Sequence, residues 1–203
     1  MNELLIATGN AGKVREFAAL FSDRELKLYS LKDFPALLPA VEDEITFAGN
    51  ALKKASAASR QTGLPTIADD SGLCVDALEG KPGVLSARYA GEGAADEANN
   101  LKLLKELATV RLGKRQAAFR CAIAFCTPEG FEAIFEGELR GLILEKPLGS
   151  GGFGYDPLFM VPEYGKTLAE LPLAIKNRIS HRGRAAGALK AYLVKNGFIQ
   201  SKA

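Results

Sequence analysis

The chain opens on a short apolar run, Leu4 to Ala7, that stops at Thr8-Gly9-Asn10. Beyond the stop, Val14, Phe17, Ala18 and Phe21 recur at helical spacing. Strand, polar turn and helix in that order commit the chain to a mixed architecture from its first twenty residues. Leu26 to Leu31 alternates weakly and reads as a second strand, and Pro35 and Pro39 mark an irregular stretch after it. Thr46 is the predicted N-cap of a helix running through Ala51, Leu52 and Ala55 to about Gln61, which Gly63-Leu64-Pro65 stops.

Thr66-Ile67-Ala68 reads as a short buried strand ending at Asp69-Asp70-Ser71-Gly72, and Leu73 to Leu78 continues as strand or turn. Asp96 to Leu107 is a predicted helix, with Leu101, Leu104 and Leu107 on one side. Phe119 to Cys126 and Glu132 to Leu139 form a predicted hairpin through Thr127-Pro128-Glu129-Gly130. A glycine-dense loop, 149–157, follows, and the last helix begins near Arg182. Strands and helices mixed in this way predict an α/β or α+β domain around a mixed sheet. No Pro/Ser linker divides the 203 residues, so residues 1–203 read as one domain with two lobes.

Composition narrows the class. Hydrophobic residues make up 47% and charged residues 25%, the balance of a soluble globular enzyme. With 26 Lys+Arg against 24 Asp+Glu, the net charge of +2 excludes a whole-protein field that would hold a long nucleic acid. No apolar run approaches the roughly 20 residues that span a bilayer. The opening MNELLIATGN lacks a basic leader and a long apolar stretch, which predicts a cytoplasmic protein. Cys74, Cys121 and Cys126 match no metal spacing and read as small hydrophobes in a reducing compartment. On one strand Cys121 and Cys126 would face opposite sides.

Four segments carry possible chemistry. Thr8 to Lys13 joins a strand to a helix, where unpaired N–H groups, glycines and a lysine suit an anion, although the spacing is not that of a P-loop. Asp69-Asp70 puts two carboxylates side by side, costly unless they meet a cation or donors. Successive strand residues face opposite ways, so one points into the site and the other braces the turn; a solvated Asx turn is the plainer reading. Either carboxylate suits a general base or a Mg²⁺ ligand. Glu42-Asp43-Glu44 complements a helix N-terminus or lends a further oxygen to a metal. From Leu171 onward there are seven Lys or Arg and no Asp or Glu, which is either a solvated basic face or a polyphosphate site.

Together these motifs, in this order, resemble the Ham1/RdgB family of inosine triphosphate pyrophosphatases. The matching stretches are Thr8-Gly-Asn-x-Gly-Lys13, Thr46-Phe47 with Asn50-Ala51 and Lys54-Ala55, Ala68-Asp-Asp-Ser-Gly72, Ser86-Ala-Arg-Tyr89, Gly151-Gly-Phe-Gly-Tyr-Asp-Pro157 and Ile179-Ser-His-Arg-Gly183. The resemblance implies a mixed twisted sheet with flanking helices, two lobes around a central cleft, a homodimer and dependence on Mg²⁺. It implies hydrolysis of non-standard purine nucleoside triphosphates, ITP, dITP and XTP, to the monophosphate and pyrophosphate, with no nucleic-acid or membrane partner. On matching positions it makes Asp70 the general base and a metal ligand, and Glu42 a second acidic metal contact. Substrate contacts fall to Thr8, Gly9, Asn10, Ala11, Gly12, Lys13, Lys54, Ser71, Phe153, Gly154, Tyr155, Asp156, Lys176, His181 and Arg182. Arg182, or the backbone beside His181, is placed to donate to O6 of the base.

Two positions depart from the family pattern. Glu44 stands where the family usually has glycine, and Gly49 where it usually has glutamate. If Thr46 is the N-cap, a glutamate at 49 would complete a capping box and add stability; its other possible role is a carboxylate at the edge of the metal site, and the capping role is the one favoured. The alternatives are a pyrophosphatase of the related Maf type, against which Ser-His-Arg-Gly argues, and a non-catalytic binder, which the paired aspartates disfavour.

Overall fold

The computed structural model describes residues 1–23 and 25–199. Seven strands form one mixed sheet: β1 (Glu3–Ile6), β2 (Lys27–Ser30), β3 (Thr66–Val75), β4 (Gln116–Cys126), β5 (Glu132–Ile143), β6 (Phe159–Val161) and β7 (Lys166–Thr167), in the order β2-β1-β3-β4-β5-β6-β7. β1 pairs in parallel with β2 and with β3, Ile6 standing opposite Ser30 and Ile67, whereas β6 is antiparallel to both β5 and β7. Among the described residues five α-helices accompany it: α1 (Ala11–Phe21), α2 (Phe47–Thr62), α3 (Asp96–Glu106), α4 (Leu173–Ile179) and α5 (His181–Lys195). Among the described residues no helix is long and apolar enough to cross a membrane.

The chain divides into two compact units. The first is built from Met1–Asp70, Cys121–Gly137 and the chain from Arg182 onward; the second from Ser71–Arg120 and Glu138–His181. In the first unit β1 and β4 bury apolar residues on both faces, as central strands covered by helices do. Leu4 and Ile6 of β1, with Cys121, Ile123 and Phe125 of β4, pack on Phe17 and Phe21 of α1 and on Ala185, Leu189 and Leu193 of α5. Their neighbours Leu5 and Ala7, with Ala122, Ala124 and Cys126, pack on Ala51, Ala55 and Ala58 of α2. The period-two alternation thus places Cys121 and Cys126 in different layers, as expected, and all three cysteines are free thiols.

The second unit has its own core, in which Leu73 and Val75, Leu103 and Leu107, Phe119, Leu139 and Ile143, and Phe159 and Val161 meet. Two expectations are corrected here. β3 does not stop at Ala68 but runs on through Asp69-Asp70-Ser71-Gly72 to Val75. Two carboxylates interrupt the apolar pattern without interrupting the hydrogen-bonded ladder. On α3 the inward face is Asn99, Leu103 and Leu107, spaced by four, while Leu101 is exposed. Leu101 lies off the stripe that Leu103 and Leu107 define at 3.6 residues per turn.

The α2 boundaries follow the capping rules. The Thr46 hydroxyl accepts from Gly49 N–H at 3.0 Å, and Gly63 ends the helix with a left-handed φ of 67°. A Cβ at Gly49, however, would stand 3.0 Å from Glu44 Cβ and 3.1 Å from both Glu44 Cγ and Thr46 Oγ1. The two departures from the family pattern are therefore coupled: the Glu44 side chain covers the space that a residue at 49 would need. Gly49→Glu alone should shift stability by less than about 0.5 kcal/mol, or lower it. In a Glu44→Gly background the same change should add roughly 1 kcal/mol from capping and loss of a helical glycine. Thermal melts of the four proteins check this, and an equal effect in both backgrounds would contradict the coupling.

Candidate functional site

In the first unit β3 carries adjacent carboxylates that face opposite ways, and each has its own partners. Asp69 is enclosed, with 1% of its surface exposed. Its Oδ2 lies 2.9 Å from Lys13 Nζ of α1 and accepts from Arg182 Nε of α5 at 3.2 Å. Arg182 Nη1 also donates to Glu16, a buried carboxylate one turn beyond Lys13 on α1. Burial pushes the Asp69 carboxyl up, but the Lys13 ammonium and the Arg182 guanidinium outweigh it and hold the group well below the usual carboxylate range. Burial likewise works against the Arg182 charge, and Asp69 and Glu16 more than restore it.

Asp70 meets α2. Asn50 Nδ2 donates to its Oδ2 at 3.0 Å, and Lys54 Nζ lies 3.5 Å from its Oδ1. Residues 50 and 54 are one helical turn apart, which brings both side chains to the same carboxylate. Asn50 is itself locked, because it accepts from Glu44 N–H at 3.0 Å and donates to Glu44 C=O at 3.2 Å. Burial pushes the Asp70 carboxyl up, and Lys54 and Lys13 offset only part of the rise. Lys54 Nζ also lies 3.3 Å from Glu42 Oε1, so Glu42 and Asp70 share one ammonium. Asp43 turns instead to Lys53. Ser71 follows on β3, half-buried.

The strand-to-helix turn has a partner of its own. Asn10 caps α1, its Oδ1 accepting from Gly12 N–H at 2.8 Å and Lys13 N–H at 3.1 Å. Thr8 Oγ1 accepts from Asn10 N–H at 3.3 Å. Gly9, Asn10 and Ala11 are exposed, while Gly12 and the Lys13 stem are half-buried.

The second unit gathers the glycine-dense loop. The Asp156 carboxylate is buried; its Oδ2 accepts from Phe153 N–H at 2.9 Å and from Lys176 Nζ at 2.7 Å. The same ammonium stands 4.8 Å from the centroid of the half-buried Phe153 ring, a cation–π arrangement. Gly152 has a left-handed φ of 77°, and any side chain there would run into the Asp156 carboxylate. Tyr155 is buried and donates its hydroxyl to Ser86 C=O at 2.9 Å. His181, 5% exposed, stacks on Phe119 with ring centroids 4.8 Å apart and planes within 10°.

Of the residues singled out in the sequence, the structure joins Lys13, Asp69 and Arg182 in one cluster, Glu42, Lys54 and Asp70 in a second, and Phe153, Asp156 and Lys176 in a third. The basic C-terminal stretch is not one solvated face: Lys176, His181 and Arg182 are buried, Arg178 and Arg184 are exposed, and Lys202 lies outside the described residues. Nε and Nη1 of Arg182, read as a donor to a base, are committed to Asp69 and Glu16. Sequence reasoning missed Glu16 and Asn50, which hold these clusters together. Asn50 carries a signal, a polar residue beside Ala51 on the buried side of its helix, whereas Glu16 lies off the Val14, Phe17 and Phe21 stripe and carries none.

Comparison with known proteins places the chain. The family model described as "Ham1 family" matches residues 4–192. A dITP/XTP pyrophosphatase of Geobacter sulfurreducens is 60% identical over 193 residues, covering 95% of this chain and 97% of its own. One of Geobacillus kaustophilus is 56% identical, covering 91% of each chain. The solved structure of a HAM1 protein from Coxiella burnetii superposes with a TM-score of 0.87 at 41% identity, over 96% of this chain and all 100% of that one. These matches support the Ham1 reading and lend nothing to the Maf-type alternative. With nearly its whole length matched in sequence and in fold, the chain belongs to the Ham1 family.

Proposed function

We propose that this chain hydrolyses non-standard purine nucleoside triphosphates, dITP, ITP and XTP, to the monophosphate and pyrophosphate. The carrying observation is the buried Asp70 carboxylate, pushed above its ordinary pKa by burial and flanked by Lys54 and Asn50, in a chain whose relatives are named dITP/XTP pyrophosphatases. A general base must accept a proton readily, and burial tunes Asp70 in that direction. In this reading Asp70 takes a proton from water as the water oxygen bonds to the α-phosphorus. The bond from that phosphorus to the bridging oxygen breaks, and pyrophosphate leaves with the electron pair. Lys54, with Lys13 and the turn Thr8 to Gly12, stabilises charge on the phosphoryl oxygens. When phosphates arrive, the Asn10 cap and the Lys13–Asp69 pair are the contacts that rearrange.

The donor set fits a hard divalent cation. Glu42 and Asp70 offer carboxylate oxygens to one shared ammonium, and among the described residues no larger group of acidic, His or Cys ligands exists. Bound Mg²⁺ would supply charge neutralisation at the phosphates. Glu42 and Asp70 are the residues proposed to hold it, with Lys54 giving way. Ser71 is a proposed substrate contact beside the base. In the second unit Phe153, Gly154, Tyr155, Asp156, Lys176 and His181 are the proposed nucleoside and phosphate contacts, and the backbone at His181–Arg182 the donor to O6. Adenine, whose amino group cannot accept, would leave that donor unpaired. A cytoplasmic homodimer completes the reading, on the family resemblance alone.

Two outcomes test it. Anion chromatography of an ITP digest should show IMP and pyrophosphate, and accumulation of IDP with orthophosphate would refute cleavage at the α-phosphorus. Asp70→Asn should lower kcat by roughly 10²–10⁴ while nucleotide binding largely survives. A variant retaining more than about a tenth of wild-type kcat would show that Asp70 is not the base.

A further inference from the structure

The loop carrying Phe153 is fastened from a helix that no part of the proposed reaction uses. Asp96 and Asn100 lie four residues apart on α3, so their side chains share one face. On the same side of the helix Asn99, Leu103 and Leu107 are buried, the two leucines in the core of the second unit, so the pair stands beside the helix's packed face. Asp96 Oδ2 accepts from Gly154 N–H at 2.6 Å, and Asn100 Nδ2 donates to Gly154 C=O at 3.0 Å. One residue of the loop is thus held at both its donor and its acceptor by two side chains of one rigid helix.

Gly154 is where the loop needs holding. Its φ of 61° is left-handed, and it separates Phe153 from the buried Tyr155. A glycine in that position supplies no side chain to pin itself, and a Cβ built there would meet nothing within 4 Å. On its other side Phe153 is tied through its N–H to Asp156. The backbone that carries the Phe153 ring is therefore held at two anchors, Asp156 at the Phe153 N–H and the α3 pair at Gly154, while Lys176 stands against the ring itself. Stacking on a base depends on the plane of the ring, so a ring oriented in advance binds without a further ordering cost.

We infer that Asp96 and Asn100 are positioning residues for nucleoside binding, holding the Gly154 peptide groups so that Phe153 stands ready for the base; this rests on the nucleotide reading above. Neither touches substrate. Their effect falls on affinity for molecules that carry a base and spares the chemical step, which belongs to Asp70.

The test is steady-state kinetics with XTP, together with inhibition by the two products, XMP and pyrophosphate. Pyrophosphate has no base, so it reports the phosphate contacts alone. Asn100→Asp keeps the size but loses the donor and sets a carboxylate against the Gly154 carbonyl. It should raise KM for XTP and Ki for XMP about tenfold, leave kcat within about twofold and leave Ki for pyrophosphate unchanged. Asp96→Asn retains an acceptor and should stay near wild type, whereas Asp96→Ala should follow Asn100→Asp. Should Asn100→Asp fail to fold, Asn100→Ser and Asp96→Ala carry the same comparison. An unchanged KM in both, or pyrophosphate and XMP inhibition weakening together, would overturn the inference. A wild-type protein that turns over neither XTP nor dITP would instead sink the nucleotide reading, and the inference with it.

Discussion

A carboxylate with no access to water sits near the middle of β3, and the first unit is organised around neutralising it. Asp69 draws Lys13 from α1 and Arg182 from α5, and Arg182 in turn draws Glu16 back from α1. These residues are far apart in the chain, at 13, 69 and 182, and their meeting ties the N-terminal helix, a core strand and the C-terminal helix together. Two carboxylates and two cations balance in charge, which is what allows such a cluster to be buried at all. The apolar layers add stability but leave considerable freedom of exchange. The ion cluster fixes which ends of α1 and α5 stand beside β3.

That cluster also explains why adjacent aspartates can behave so differently. The strand's alternation turns Asp69 toward α1 and α5 and Asp70 toward α2. Asp69 meets two full positive charges and is held ionised. Asp70 meets one ammonium at 3.5 Å and one amide, and burial outweighs them, raising its pKa above the ordinary carboxylate value. The first arrangement suits a permanent structural charge. The second suits a group that takes up a proton or a cation in the course of a reaction.

Much of this was legible in the sequence, for identifiable reasons. The strand–turn–helix opening, the Thr46 cap and the Gly63 stop are local, and local rules found them. The motif series singled out Lys13, Lys54, Asp70, Asp156 and Lys176, and the structure gives each of them a charged partner, though Lys13 and Arg182 meet at Asp69 and not in the groups the motifs suggested. What escaped was non-local. Asp69-Asp70 reads as a turn because charge in an apolar run normally means solvent; only partners supplied by α1, α2 and α5 allow the strand to continue. Glu16 reads as an ordinary surface residue of an amphipathic helix until Arg182 arrives from 166 positions later. Leu101 read as core because the helix carries more leucines than its inward face can hold, and periodicity alone did not decide between the two stripes.

The central claim is this division of labour, Asp69 for the fold and Asp70 for the reaction, and equilibrium unfolding in urea tests it most directly. Asp69 is held below its ordinary pKa, so its stabilisation is present in full above about pH 4 and is lost only as pH falls through the folded-state value. Removing that charge leaves Lys13 and Arg182 facing a neutral group, a loss of about 3–5 kcal/mol for a broken buried pair. Asp69→Asn should therefore be that much less stable than wild type at pH 7. Asp70 is pushed the other way, so its ionised form weighs against the fold at neutral pH. Asp70→Asn should be as stable as wild type or more so. Equal losses in the two variants, or a larger loss in Asp70→Asn, would contradict the account.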